Sequence, residues 1–228
     1  MPIPIVLVHG AFADASSWRH IIPTLQLSYH ECIGVQLPLT SIADDVSAVR
    51  RATEEVERFL LVGHSYGGIV ISEAGRELED KVAGLVYVAA MALDEGEAAI
   101  PFLSAHPVES ANHYRPDSGG FLIVDRAEFP RDFAADVPIE TARVMAATQK
   151  PVSAQGFNTP VGAPAWKTVP SWYQISEQDA MIHPDAQRFM ASRGGMKTLS
   201  LPSSHASMIS HPTALAEFIL GAARDVEG

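Results

Sequence analysis

Short runs in which every position is apolar alternate along this chain with longer stretches in which apolar residues recur every three or four positions. The first rhythm is that of a strand covered on both faces, the second that of a helix burying one face. Ile3 to Val8 is apolar throughout, and Ser16-Ser17 offers an N-cap for a helix over Trp18 to Leu27. Glu31 to Gln36 reads as a second strand ending near Pro38. Ser41 then caps a helix to about Arg58, with Ile42, Val46, Val49 and Val56 as its apolar stripe. Phe59 to Gly63 is a third strand, Tyr66 to Leu78 a helix, and Lys81 to Ala90 a fourth strand ending in small residues.

From Met91 to about Val169 the period is lost. Pro101, Pro107, Pro116, Pro130, Pro138, Pro151, Pro160 and Pro164 break the segment into short amphipathic pieces. Regularity returns with a strand over Ser171 to Ser176, a helix near Pro184 to Ser192, a strand over Lys197 to Leu201 and a closing helix from Thr213 to Arg224. The pattern predicts an α/β fold: one domain over 1–228, with a mostly parallel sheet of about six strands flanked by helices. Residues 91–169 are expected to form a cap or lid insertion rather than more of that sheet.

Composition narrows the function classes. With 47% hydrophobic and 19% charged residues the chain can bury a core and is unlike a disordered segment. A net charge of -11, with no basic run, disfavours nucleic acid and anionic membranes as partners. The longest apolar stretches, such as Phe59 to Val62 and Val82 to Ala92, are too short or too interrupted by glycine to span a bilayer. Cys32 is the only cysteine, so neither an internal disulfide nor a cysteine-based zinc or redox motif can form. No positively charged leader precedes the first strand. These features lead to the expectation of a cytoplasmic protein that needs no cofactor and no metal; a homodimer is a candidate assembly.

The chemistry concentrates at Gly63-His64-Ser65-Tyr66-Gly67, which fits G-x-S-x-G. It lies where that motif has a mechanical meaning, between a buried strand and a helix, so that glycines let the chain turn sharply and expose the serine hydroxyl. The alternative reading is a glycine-rich turn with a capping serine. A serine hydroxyl needs a base, and His205 follows the last expected strand; Asp179 follows the strand Ser171 to Ser176, giving the order Ser65, Asp179, His205. His211 and His183 compete as base, and Glu177 and Asp185 as acid. His211 precedes Pro212 at the entrance to a helix, His183 begins one and Asp185 falls inside one, whereas Glu177 lies nearer the strand. For the oxyanion, the N–H groups of Ala11, in the loop after the first strand, and of Tyr66 are the candidate donors, with Phe12 as fallback for the first. His9-Gly10 reads as a tight turn with a partly buried, non-catalytic histidine.

Three segments, Val6-Leu7-Val8-His9-Gly10-Ala11, Leu61 to Gly68 and Ser204-His205-Ala206-Ser207-Met208, resemble small bacterial α/β-hydrolases related to plant methyl esterases and hydroxynitrile lyases. The likeness covers nearly the whole chain, including Leu85 to Ala90 and Trp172 to Pro184, and is weakest between about residues 97 and 165. It implies the α/β-hydrolase fold, with Ser65 as nucleophile, His205 as base, Asp179 as the orienting acid and Ala11 and Tyr66 as oxyanion donors. The lyases of this group carry Thr where this chain has Gly10, and Lys where it has Ala206. Those departures argue against cyanohydrin cleavage.

The function expected is that of a carboxylesterase-type serine hydrolase acting through an acyl-enzyme on small to medium hydrophobic esters. Phe12, Met91, Phe102, Phe121, Phe129, Phe133 and Trp166 are the candidate pocket residues. Fold and triad leave open lactone opening, carbon-carbon bond hydrolysis, perhydrolysis or a lyase step, and also a non-hydrolysing ligand receptor.

Overall fold

The computed structural model describes residues 2–227. In chain order the elements are β1 (Ile5–Val8), α1 (Ile22–Leu27), β2 (Cys32–Val35), α2 (Ile42–Ala52), β3 (Phe59–His64), α3 (Gly67–Glu77) and β4 (Val82–Val88). There follow α4 (Ala99–Ala105), β5 (Tyr114–Pro116), β6 (Phe121–Val124), α5 (Phe129–Phe133), α6 (Ile139–Thr148), β7 (Val152–Ser153) and α7 (Ala154–Asn158). The last are β8 (Ser171–Ser176), α8 (Pro184–Arg193), β9 (Lys197–Leu201), α9 (Ser207–Ser210) and α10 (Pro212–Glu227).

Six strands form one parallel sheet in the order β2-β1-β3-β4-β8-β9. Every residue of β1 and β3 is buried, as their unbroken apolar runs require when helices cover both faces. All strands point the same way, so the loops after β1, β3, β8 and β9 emerge at one end. Those loops carry Ala11, Ser65, Asp179 and His205, so residues far apart in sequence share one end of the sheet.

Several boundaries differ from the sequence expectation. The helix expected over Trp18 to Leu27 is a 3-10 turn at Ala15–Trp18 followed by the short α1, and Asp14, not Ser16 or Ser17, caps the turn by accepting from the Ser16 N–H at 2.7 Å. Ser41 does cap α2, accepting from the Asp44 N–H at 3.1 Å, but that helix ends at Ala52, before Val56. Between β4 and β8 the chain adds no strand to the main sheet. It builds an antiparallel sheet of its own, β5-β6-β7, with helices α4 to α7. Two-to-four-residue strands broken by proline carry too little alternation to be read from sequence.

Candidate active site

Ser65 sits at the turn between β3 and α3 with φ +54°. A non-glycine residue there costs roughly 1–3 kcal/mol, and persists only where the surroundings hold it. Its N–H donates to the Val88 carbonyl at 3.1 Å, while its carbonyl accepts from Gly68 at 2.9 Å and Met91 at 3.0 Å. Gly67 lets the turn lie against β1: a Cβ there would stand 2.7 Å from the His9 carbonyl oxygen and 2.8 Å from that of Val8. A Cβ on Gly10 would come within 2.8 Å of the Ser65 Cβ, so the Thr of the lyases would require this turn to shift.

The loop after β8 presents Asp179 to the loop after β9. Asp179 Oδ2 accepts from His205 Nδ1 at 2.7 Å and from Gln187 Nε2 at 2.8 Å; Oδ1 accepts from the N–H groups of Met181 at 2.7 Å and Ile182 at 3.0 Å. Four donors therefore converge on one buried carboxylate, orienting both it and the imidazole. With Nδ1 donating to Asp179, the free electron pair of His205 lies on Nε2. The His205 and Asp179 side chains are only 1% and 0% exposed, so water does not screen the pair.

His64, the residue before Ser65, packs beside His205. Its Nε2–H donates to the His205 carbonyl at 2.9 Å, and the two rings lie 4.6 Å apart. Burial pushes its pKa well below the usual histidine value, so it is neutral. Phe133 packs edge-on against His205 at 4.8 Å. Asp136 grips the same loop, accepting from the N–H of Ser204 at 3.1 Å and from its hydroxyl. The rivals are engaged elsewhere: Glu177 and Asp185 pair with Arg188, His183 caps α8, and His211 contacts Asp136 and Ser210.

Ala11, Phe12, Ser65 and Tyr66 line one cleft. Among the described residues the N–H groups of Ala11, Phe12 and Tyr66 donate to no other group. The Tyr66 hydroxyl donates to Asp45 Oδ2 at 2.7 Å, and Asp45 Oδ1 accepts from the Leu39 N–H at 2.7 Å, which fixes the residue after the serine. His9 bridges the loops after β1 and β2: its Nδ1–H donates to the Gly10 carbonyl at 2.8 Å and its Nε2 accepts from the Leu37 N–H at 3.0 Å. Burial pushes its pKa down to about 4, so the ring is neutral.

Of the expected pocket residues, Phe12 and Met91 line the cleft. The others do not. Phe102 packs on His106 and Phe189, Phe129 stacks on Phe133, Phe121 belongs to β6, and Trp166 donates to the Leu93 carbonyl beneath Arg193. Phe133 packs against His205 and does not line this cleft. The large aromatic residues of the insertion were drawn into its own packing, because their area stabilises most when fully buried. Leu103, Tyr114, Phe157, Met181 and Ile182 complete the cleft. Met181 and Ile182 lie two and three residues after Asp179, which was a signal available in the sequence; Leu103, Tyr114 and Phe157 had none. Among the described residues no group of three or more His, Cys, Asp or Glu side chains is placed to hold a metal, and no helix is long and apolar enough to cross a membrane.

The comparisons with known proteins agree with this architecture. The model of the alpha/beta hydrolase family matches residues 5–218. An alpha/beta hydrolase, nvfD, of Aspergillus novofumigatus is 28% identical over 96% of both chains. A pyrethroid hydrolase of Sphingobium wenxiniae is 30% identical over 94% of this chain and 85% of its own. The crystal structure of a pyrethroid hydrolase from Sphingobium faniae JZ-2 superposes with a TM-score of 0.85 at 26% identity over 97% of both chains. With the family model spanning nearly its whole length, this chain belongs to the alpha/beta hydrolase family.

Proposed function

We propose that the protein is a serine esterase in which Ser65 is the nucleophile, His205 the general base and Asp179 its orienting acid. The observation that carries this reading is the buried 2.7 Å Asp179–His205 hydrogen bond, in a fold that holds Ser65 on a strained turn at the same end of the sheet. The likeness to a pyrethroid hydrolase supports hydrolytic chemistry.

In the first half-reaction Ser65 Oγ attacks the ester carbonyl while His205 Nε2 takes the hydroxyl proton, and Asp179 stabilises the imidazolium. The N–H groups of Ala11 and Tyr66 donate to the oxyanion as it forms, without reorganisation, because neither is committed elsewhere. Collapse breaks the bond to the alcohol oxygen, which takes the proton from His205. Water, activated by the same base, then releases the acid and restores Ser65. Residues 91–169 act as the cap of a single domain, since Leu103, Tyr114 and Phe157 reach down to wall the cleft.

The test is Ser65→Ala against a panel of alkyl and aryl acetates, with intact mass after a fluorophosphonate probe. Turnover should fall by about 10³-fold or more, since removal of any triad member costs orders of magnitude. The probe should add one adduct, on Ser65. Full turnover by the variant, or an unlabelled Ser65 in folded protein, sinks the assignment.

A further inference from the structure

Tyr114 opens β5 in the insertion, and it lines the same cleft as Ser65. Its ring stacks on that of Phe12 with 5.6 Å between centroids. The other side chains around the cleft are apolar or already engaged. Met91, Leu103, Phe157, Met181 and Ile182 carry no N–H or O–H, and the Tyr66 hydroxyl is spent on Asp45. Among the described residues, the Tyr114 hydroxyl is therefore the one uncommitted side-chain donor of the cleft besides Ser65.

Two carboxylates act on that hydroxyl through space, Asp179 and Asp132. Neither accepts from it. Asp179 is taken by His205, Gln187 and the N–H groups of Met181 and Ile182, and Asp132 by His113 at 2.7 Å and Arg131 at 3.1 Å. Nor is the hydroxyl sealed in the core: the buried side-chain atoms without a partner, among the described residues, are Trp18 Nε1, His64 Nδ1 and Arg193 Nε. An unpaired hydroxyl that is not buried opens onto accessible space, and the field of Asp179 places it on the side of the cleft where Met181 and Ile182 stand. Burial, with the two carboxylates, pushes its pKa up to about 12, so it keeps its proton through the neutral range. The same charges oppose an anion there.

The cleft holds Ser65 and the residues of both oxyanion donors, Ala11 and Tyr66, whereas His205 does not line it. A carbonyl attacked by Ser65 with its oxygen on those amides extends its acyl chain along this cleft. Its volume is about 20 Å³, where one water needs roughly 10–15 Å³, so the chain must be short. We propose that Tyr114 sets specificity: its hydroxyl donates to an uncharged ether or keto oxygen on the acyl chain, so that esters of short oxygen-bearing acids are preferred to those of plain alkanoic acids. The inference rests on the Ser65–His205 reading above. A donor left unpaired against an alkyl chain costs free energy, which is how such a group discriminates between substrates of equal size.

Pairs of methyl esters that exchange one methylene for one oxygen read this out: methoxyacetate against butyrate, and 3-methoxypropanoate against pentanoate. An ether oxygen also activates the carbonyl, so the decisive quantity is how each kcat/KM ratio changes between the wild type and Tyr114→Phe. The variant keeps the ring that stacks on Phe12, and a fluorophosphonate adduct on Ser65 verifies that the site is intact. In at least one pair the ratio of methoxy to alkyl ester should fall about tenfold in the variant, equivalent to about 1.4 kcal/mol. The methoxy ester should account for that fall, with the alkyl ester unchanged or faster. Ratios that stay the same in both pairs, whether the two esters slow together or neither does, overturn the proposal. Wild-type protein that is labelled at Ser65 but cleaves none of the four overturns this proposal alone; failure of the labelling as well overturns the reading of the site beneath it.

Discussion

Ser65 is held at φ +54° by three backbone hydrogen bonds, and the imidazole proposed to serve it is held through Asp179 by a carboxylate with four donors. The weight of orientation thus falls on Asp179. Asp179→Asn would place an amide N–H where an acceptor is needed, either against the His205 Nδ1–H or against the N–H pair of Met181 and Ile182. The imidazole would then present the wrong tautomer. kcat for an acetate ester should fall about 10³- to 10⁴-fold with little change in KM. A loss below tenfold in steady-state kinetics would show that another acid orients the base.

At the scale of elements, β3, the turn and α3 work as one piece because α3 starts against the end of β1. Gly67→Ala puts a methyl group 2.7–2.8 Å from two β1 carbonyl oxygens, and backbone cannot yield as a side chain can. We expect a loss of about 1–3 kcal/mol, typical of overpacking, which lowers Tm by roughly 2–12 °C in a chain of this size. Calorimetry should show this even where the Ser65 geometry survives. Asp136→Ala addresses a different joint, the grip of the α5–α6 connection on the loop carrying His205. It should reduce kcat about tenfold through poorer alignment while leaving fluorophosphonate labelling of Ser65 detectable. A variant with unchanged kcat would show that Phe133 and His64 suffice to hold the loop.

For the whole molecule, acid stability follows from the buried neutral histidines. His9 has its pKa pushed down to about 4 by burial, against about 6.5 in an unfolded chain, and His64 is displaced in the same direction. Between those values the unfolded state binds more protons, so stability is full above about pH 6.5 and is lost as pH falls toward 4. His9 alone accounts for about 3 kcal/mol across that window, at about 1.4 kcal/mol per unit. Urea denaturation at pH 7.5, 6 and 5 should show a falling midpoint, and His9→Gln should flatten the slope while lowering stability at pH 7.5. An identical slope in the variant would assign the acid response to other groups.

The parallel sheet, its six strands and the positions of Ser65, Asp179 and His205 at strand ends were legible in sequence. Burying both faces of a strand demands an unbroken apolar run, and a sharp strand-to-helix turn demands small residues; both leave local marks at Ile5–Val8, Phe59–His64 and Gly63 to Gly68. The antiparallel sheet β5-β6-β7, the grip of Asp136 on Ser204, and the contact of His64 and Phe133 with His205 left no such marks. Apart from the β5–β6 pairing, each depends on contacts between residues tens to more than a hundred positions apart, where neither period nor spacing constrains the partner. Which side chains face a cavity is settled only when the core has packed and what remains unfilled is known. The chemistry available at Ser65 was therefore written locally, while the shape of what can reach it was decided by the tertiary fold.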